Sequence, residues 1–364
     1  LAFFLYMLTN PESAVVPREA VDERNFRMLR PVGCGPYQVV EATAERVAME
    51  RFRDYHESGI PYSDKLVFDF SSPSEAEVLS GLKSGQFHLA LSLSNESIEE
   101  LLSDAYWENY TEHTVLLNTQ ILAIRNDQAP GDSKEFRQAL NYAVDREGLL
   151  SRFPHIRVTP AKGILPPGIL GYKPDRKGYY YDPEKARWLL SRAGFAGGVD
   201  LHVPLDLSRA SQHQEFLLVT EMFRKVGVRI ETEPVSHEEF EARRKITGGR
   251  PLIYSTGWYA DYPDPDNFLY VVFHKQGGDP LQFKYHSDAL DEVLDQARRS
   301  LDVEERVALY QQAEDQVVED APGVFLYHSW GTVPHRPELV GMKLSLSPPL
   351  VRPEHLWLGG EKEE

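Results

Sequence analysis

The 364-residue sequence predicts an α/β fold in two lobes, with mixed sheets flanked by helices. Short apolar runs of period two alternate with capped, helix-period segments along most of the chain, as in layered α/β domains. The length is more than one ordinary core serves and suits two lobes. Two segments read as paired crossings between them: Ile121–Ile124 with the polar run that follows to Ser133, and Tyr327–Pro337, rich in His, Trp, Gly and Pro. This puts residues 1–119 and 334–364 in a terminal lobe and residues 120–333 in an inserted lobe. Two linking strands permit hinge closure over a cleft.

The elements follow in order. Val47 and Met49, then Leu66, Phe68 and Phe70, recur at the spacing of half-buried strands. Ser74-Glu75-Ala76-Glu77 is a capping box, and Gly85 stands where the helix it opens would end. Leu89, Leu91 and Leu93 alternate as a further strand, and Ile121–Ile124 forms another. Asp182-Pro183 supplies an N-cap and a first-turn proline for a helix that buries Ala186, Leu189, Leu190 and Ala193 before Gly194. Leu201, Val203, Leu205 and Leu207 make the next strand. A helix ending near Gly227 leads into Val228-Arg229-Ile230. Ser236 with Glu239, and Asp302 with Glu305, open two more helices, and Pro322 stops the second ahead of Val324–Tyr327.

Composition narrows the function. Hydrophobic residues are 41% and charged residues 26% of the chain, a globular balance. The net charge of −17 repels nucleic acid and anionic membrane surfaces. The single cysteine, Cys34, allows no intrachain disulfide and leaves the compartment open. The apolar run Leu1–Leu8 is short against the roughly 20 residues of a spanning helix, and it lacks the basic start and small-residue cleavage site of a signal peptide. The chain starts without Met, in apolar sequence, and reads as a fragment whose upstream part has been removed.

Several enzyme patterns fail on inspection. Ser80 and Lys83 have the serine-lysine spacing of penicillin-binding enzymes, but the partner motifs are missing and the pair lies inside the helix opened by Ser74. His237-Glu238 begins like a zinc-protease helix, yet position 241 is Glu where a second His is required. Gly33-Cys34-Gly35-Pro36 is no phosphate loop, because later glycines are missing and Pro36 removes a donor. Cys34 reads as a small packed residue. The acids in Gly257–Phe268 do not have the alternating spacing of a helix-loop-helix calcium site. No catalytic residue, metal site or cofactor is expected.

Seven segments, in order, carry a resemblance: Pro31–Tyr37, Leu82–Ala90, Phe136–Arg146, Leu165–Gly168, Tyr181–Ala186, Ala260–Phe268 and Asp320–Pro322. With them the chain resembles the large extracytoplasmic solute-binding proteins of ABC importers, the oligopeptide- and dipeptide-binding family 5. It departs from the family pattern at Cys34, usually Thr, and at His88, usually an acid. The resemblance implies a two-lobed, periplasmic-binding-protein-like fold of the large class II type. The glycine-proline-tyrosine segment of the family follows a long N-terminal part, so the terminal lobe is expected to be incomplete. An unpaired edge or apolar patch there would be covered by a neighbour or a second copy.

The resemblance further implies the substrate-binding component of an ABC importer, holding a peptide or similar amine-bearing solute in an interlobe cleft. The partners it implies are that solute and a membrane permease, with the protein periplasmic or extracellular, held by a lipid anchor or by the permease. The α-ammonium of the ligand would meet Asp261, beside Trp258 and Tyr259, in a charge-assisted hydrogen bond. Asp261 can equally shape a turn. Trp258 can wall a pocket or belong to the core. Asp264 and Asp266 read as turn and N-cap residues. Tyr179–Tyr181 and Leu165–Gly168 pack at the surface unless they reach the cleft. The alternative function is a sensory or regulatory ligand-binding module on the same fold.

Overall fold

The structure, a computed structural model, describes residues 3–8, 13–22, 27–28, 32–72, 74–91, 93–152, 155, 157–207, 214–246, 250–346 and 350–359. In chain order the first elements are α1 (Phe4–Met7), β1 (Val21–Asp22), β2 (Arg27–Met28), β3 (Tyr37–Ala42), β4 (Arg46–Arg51) and β5 (Lys65–Asp69). Next come α2 (Glu75–Ser84), α3 (Asn95–Leu102), α4 (Ala105–Glu108), β6 (Thr111–Val115), β7 (Asn118–Ile124), α5 (Lys134–Ala143), α6 (Arg146–Leu150) and β8 (Val158–Pro160). The chain continues with α7 (Pro183–Arg192), β9 (Val199–Asp206), α8 (Gln214–Arg224), β10 (Val228–Val235), α9 (His237–Ile246), β11 (Ile253–Tyr259) and α10 (Pro265–Phe273). It closes with α11 (Asp288–Arg299), α12 (Val303–Asp320), β12 (Gly323–Pro334), β13 (Leu339–Val340) and β14 (Trp357–Leu358).

The chain divides into two compact units. One holds Leu1–Met7, Val115–Arg152 and Val158–Ser329; the other holds Leu8–Thr114, Phe153–Arg157 and Trp330–Glu364. The first is built on a sheet with strand order β11-β7-β12-β6, in which β8 also pairs with β12. β7 runs antiparallel to both β11 and β12. Successive β7 residues point to opposite faces, and both faces are covered. Ile121 and Ala123 join the core formed with Phe268 of α10, Leu294 of α11 and Tyr310 of α12. Leu122 and Ile124 join the core formed with Phe136 of α5, Leu189 of α7 and Phe223 of α8. A run apolar at every position is what a strand buried on both faces requires.

The second sheet of this unit pairs β9 and β10 in parallel through the crossover helix α8. The strands start where Gly198 and Gly227 face each other with φ of +86° and +98°, and a Cβ on Gly198 would sit 2.6 Å from the Gly227 carbonyl oxygen. The N-cap bond of each predicted helix start forms, while among the described residues the reciprocal bond from the cap N–H to the glutamate does not, and the Asp302 N–H donates to Ser300 Oγ instead. Ser74, Asp182, Ser236 and Asp302 accept hydrogen bonds from the backbone N–H groups of Glu77, Lys185, Glu239 and Glu305. α12 ends in Ala321 at φ 50°, ahead of Pro322 and β12.

The other unit contains the antiparallel sheet β3-β4-β5 and a helical cluster in which Leu79 and Leu82 of α2 pack with Ile98 and Leu101 of α3 and Trp107 of α4. Val47, Met49, Leu66 and Phe68 form one half-buried face, as their spacing predicts. Two expectations are corrected. Phe70 lies beyond the end of β5 and is exposed, because pairing with β4 ends at Asp69. Leu89, Leu91 and Leu93 form no strand: Leu89 makes only an isolated bridge to His335, Leu91 is exposed, and α3 begins at Asn95. Alternation alone cannot make a strand where no partner edge is available along its length. Ser92 within that run, Pro31 of the first resemblance segment, and Leu1 and Ala2 lie outside the described residues. Among the described residues no helix is long and apolar enough to cross a membrane.

Candidate functional site

β11 delivers the acidic loop to the end of the first unit's sheet, where among the described residues it pairs only with β7 and so forms an edge. Gly257 lies opposite Gln120, and a Cβ there would stand 2.1 Å from Gln120 Oε1. Glycine is the residue that leaves this amide room to lie against β11. The pleat then separates the two aromatics of the expected site. Trp258, level with Thr119, packs against the core that contains Phe268, while Tyr259, level with Asn118, points to the opposite face and is 53% exposed.

The three aspartates have different surroundings. Asp264 is the N-cap of α10: its Oδ1 accepts the Asp266 N–H at 3.0 Å, and Pro265 occupies the first helical position. Both of its oxygens also accept from Arg306 Nη2, at 2.8 and 2.9 Å, in a buried ion pair. Asp266 is fully buried in the first turn, where the helix dipole favours an acid. Its Oδ2 accepts from the Tyr262 hydroxyl at 2.7 Å. Arg298 Nε lies 2.9 Å from its Oδ1, an ion-pair contact without hydrogen-bond alignment. Burial pushes both carboxyls above the usual aspartate range, opposed by Arg306 at Asp264 and by Tyr262 and Arg298 at Asp266. Phe3 stacks on Tyr262 at 5.3 Å, with the Arg298 and Arg306 guanidinium groups 5.5 and 5.9 Å from its ring.

Asp261 is exposed and has no such cation. Its Oδ2 accepts from Asn267 Nδ2 at 3.0 Å, and its backbone N–H donates to Asn267 Oδ1 at 3.1 Å. The same Oδ1 accepts from Trp258 Nε1 at 2.9 Å. Among the described residues no donor meets Asp261 Oδ1, and no Lys, Arg or His forms an ion pair with this carboxylate. The structure therefore brings Asp261 and Trp258 together through Asn267 and turns Tyr259 away. Trp258 is partly core and partly exposed. Asp264, not Asp261, caps the helix.

The residue pattern assigns Asn267 no role. It stands at the third helical position after the Asp264 cap, where a polar side chain reaches back toward the chain entering the helix. That was the available signal. Arg298 and Arg306 lie on α11 and α12, and nothing local in the loop announces them.

A cavity of about 390 Å³, lined by Tyr6, Leu170, Pro263, Asp264, Leu301, Val303 and Arg306, does not include Asp261, Trp258 or Tyr259. Ser80 and Lys83 are exposed on α2, with Lys83 Nζ 3.9 Å from Glu100. Cys34 is exposed rather than packed, since the Gly33–Pro36 turn lies at the surface. Leu165 N donates to Glu314 at 2.8 Å and the Tyr179 hydroxyl to the Val318 carbonyl at 3.0 Å, so both segments dock on α12. His286, Asp288 and Asp291 bring ligand-type atoms within 4.8 Å of one another. Lys275 Nζ lies 3.6 Å from Asp288 and 3.2 Å from Asp291, and already supplies a positive charge there.

Comparison with known proteins agrees with this architecture. Residues 2–280 match the model of the bacterial extracellular solute-binding proteins, family 5 middle region. The chain is 29% identical over 317 residues to heme-binding protein A of Haemophilus influenzae, covering 86% of this chain and 57% of that protein. It is 25% identical over 330 residues to the glutathione-binding protein GsiB of Salmonella typhimurium, covering 88% and 64%. This chain thus spans less than two thirds of the length of these relatives. The periplasmic binding protein DppA of Helicobacter pylori, solved with the peptide STSA, superposes with a TM-score of 0.81 at 25% identity, covering 99% of this chain and 70% of that one. The dipeptide-binding protein of a Pseudoalteromonas species, solved with Met-Leu, shares the fold at a TM-score of 0.77 and 21% identity. The matched family model, the order of its motifs and the shared architecture together establish that the chain belongs to the family 5 bacterial extracellular solute-binding proteins.

Proposed function

We propose that this protein is the solute-binding component of an ABC importer and that it holds a small peptide, or a similar solute with a primary ammonium group, at Asp261. The observation that carries this reading is the state of that carboxylate. One oxygen is held by Asn267, and among the described residues the other meets no donor and no cation pairs with the carboxylate. Asp264 and Asp266, by contrast, already have arginine partners. Asp261 lies two residues beyond β11, an edge strand among the described residues, and an extended peptide can add to such an edge through main-chain hydrogen bonds while its terminal ammonium meets the carboxylate. The peptides named with the Helicobacter and Pseudoalteromonas structures support this solute class, as does the glutathione named for the Salmonella relative. Delivery to a membrane permease, and a periplasmic or extracellular location, follow from the importer reading.

Calorimetry on the full natural-length protein, with the tetrapeptide Ser-Thr-Ser-Ala and its N-acetylated form, tests the proposal. The free peptide should bind, and acetylation should weaken it. Asp261→Asn, nearly isosteric, should lose roughly ten- to hundred-fold in affinity for the free peptide while leaving the fold intact. Equal affinity of Asp261→Asn and the unaltered protein would remove Asp261 from the site.

A further inference from the structure

We infer that Asn267 is a positioning residue that sets the preference of the site for an ammonium group, by holding Asp261 with one oxygen occupied and the other free. This rests on the reading of Asp261 just given. Two donors, Trp258 Nε1–H and the Asp261 backbone N–H, converge on one Asn267 side-chain atom at 2.9 and 3.1 Å. That atom must be the carbonyl oxygen, because an amide nitrogen accepts no hydrogen bond. The Nδ2 group is thereby directed at Asp261 Oδ2, 3.0 Å away. The amide orientation is imposed by its neighbours, and the amide in turn imposes the orientation of the carboxylate.

The support beneath this amide is buried and hydrogen-bonded. Asn267 is fully buried, and its backbone N–H donates to the Asp264 carbonyl at 3.0 Å. Its neighbours on either side in the helix, Asp266 and Phe268, are fully buried as well. Arg306 holds Asp264, and Tyr262 and Arg298 hold Asp266. The exposed carboxylate is therefore anchored to a buried first helical turn through one side chain. An aspartate without that anchor would sample rotamers and form intramolecular bonds that compete with ligand, and fixing it beforehand lowers the cost of binding. The amide donates to the carboxylate without neutralising it, so the negative charge stays available. A lysine or arginine in its place would cancel it.

The test is a double-mutant cycle on the full natural-length protein: unaltered, Asp261→Asn, Asn267→Ala and the double variant. Each is titrated with Ser-Thr-Ser-Ala and with its N-acetylated form, and thermal melting confirms the folded state. The readout is the ratio of the two affinities. We expect Asn267→Ala to reduce that ratio roughly ten-fold, as for loss of a hydrogen bond to a charged group, and to reduce it no further in the Asp261→Asn background. A merely structural role would lower both affinities together and leave the ratio unchanged, which would overturn the inference. If Asn267→Ala does not fold, Asn267→Ser, which keeps a hydroxyl acceptor for the Asp261 N–H, carries the same comparison. The two levels separate cleanly. A ratio insensitive to Asp261→Asn defeats the proposed function. A ratio that collapses in Asp261→Asn but persists in the Asn267 variants defeats only this inference.

Discussion

The central strand of one unit and the middle strand of the other are of similar length and are buried very differently. In β7 the run Ile121-Leu122-Ala123-Ile124 is inaccessible at every position, with a helical layer on each face. In β4 only Ala48 is fully buried, while Val47 and Met49 are half-exposed and the facing Val67 of β5 is 39% exposed. Burial on both faces makes every side chain of β7 a packing element, whereas in β4 the half-buried Val47 and Met49 and the buried Ala48 lie on opposite faces and neither face is fully enclosed. The site follows the same division. The loop acids that face the packed interior are paired with arginines, and Asp261, which faces solvent, has no ion-pair partner among the described residues.

Three substitutions sharpen or break this contrast. Ile121→Ala removes a side chain packed between β7 and the α10–α12 layer and should cost about 2–5 kcal/mol, read from the urea midpoint of the unit that contains it. A cost below about 1 kcal/mol would mean that this face is less tightly packed than described.

Glu314 of α12 tests a buried charge in the same layer. It accepts the Leu165 N–H at 2.8 Å, its other oxygen lies 2.7 Å from Arg176 Nη2, and burial pushes its carboxyl up to about 7 despite that arginine. A carboxyl with a raised folded-state value stabilises most fully below its unfolded value near 4.5, and the contribution is lost as pH rises through about 7. Stability should therefore fall by roughly 2–3 kcal/mol across that window from this group alone. Glu314→Gln should flatten the slope, and an unchanged slope in melts from pH 4.5 to 7.5 would show that the group stays ionised throughout.

The smallest effect belongs to the exposed sheet. Val67→Thr keeps β-branching on a partly solvated position and should shift stability by no more than about 0.5 kcal/mol. A larger loss would show that something covers this face in solution, and hydrogen exchange of β5 would locate it.

Much of this was legible locally. The N-cap bonds at Ser74, Asp182, Ser236 and Asp302 formed as read, because a cap is a bond between residues three apart. The apolar run of β7 and the strand through Leu201, Val203 and Leu205 were legible for the same kind of reason, whereas Leu207 lies beyond the end of β9 and is exposed. Leu89–Leu93 misled because the pattern of a strand is also the pattern of an extended segment whose pairing stops after one bridge, here Leu89 to His335, and only the partner edge decides. Cys34 misled because a small residue between glycines is equally consistent with a packed turn and an exposed one.

The motif order of the chain determined its family, and hydrophobic period with cap chemistry determined which segments are helix and which are strand. Asp264 as the cap of α10 belongs to the same local level, since Asp followed by Pro states it within two residues. Tertiary structure alone decided which acid of the loop stays unneutralised. Arg298 and Arg306 reach Asp266 and Asp264 from α11 and α12, and Asn267 is turned toward Asp261 by the indole of Trp258 from β11. A carboxylate remains available to a ligand only if no side chain from elsewhere in the fold has taken its charge, and that depends on which helices the folded core places beside it.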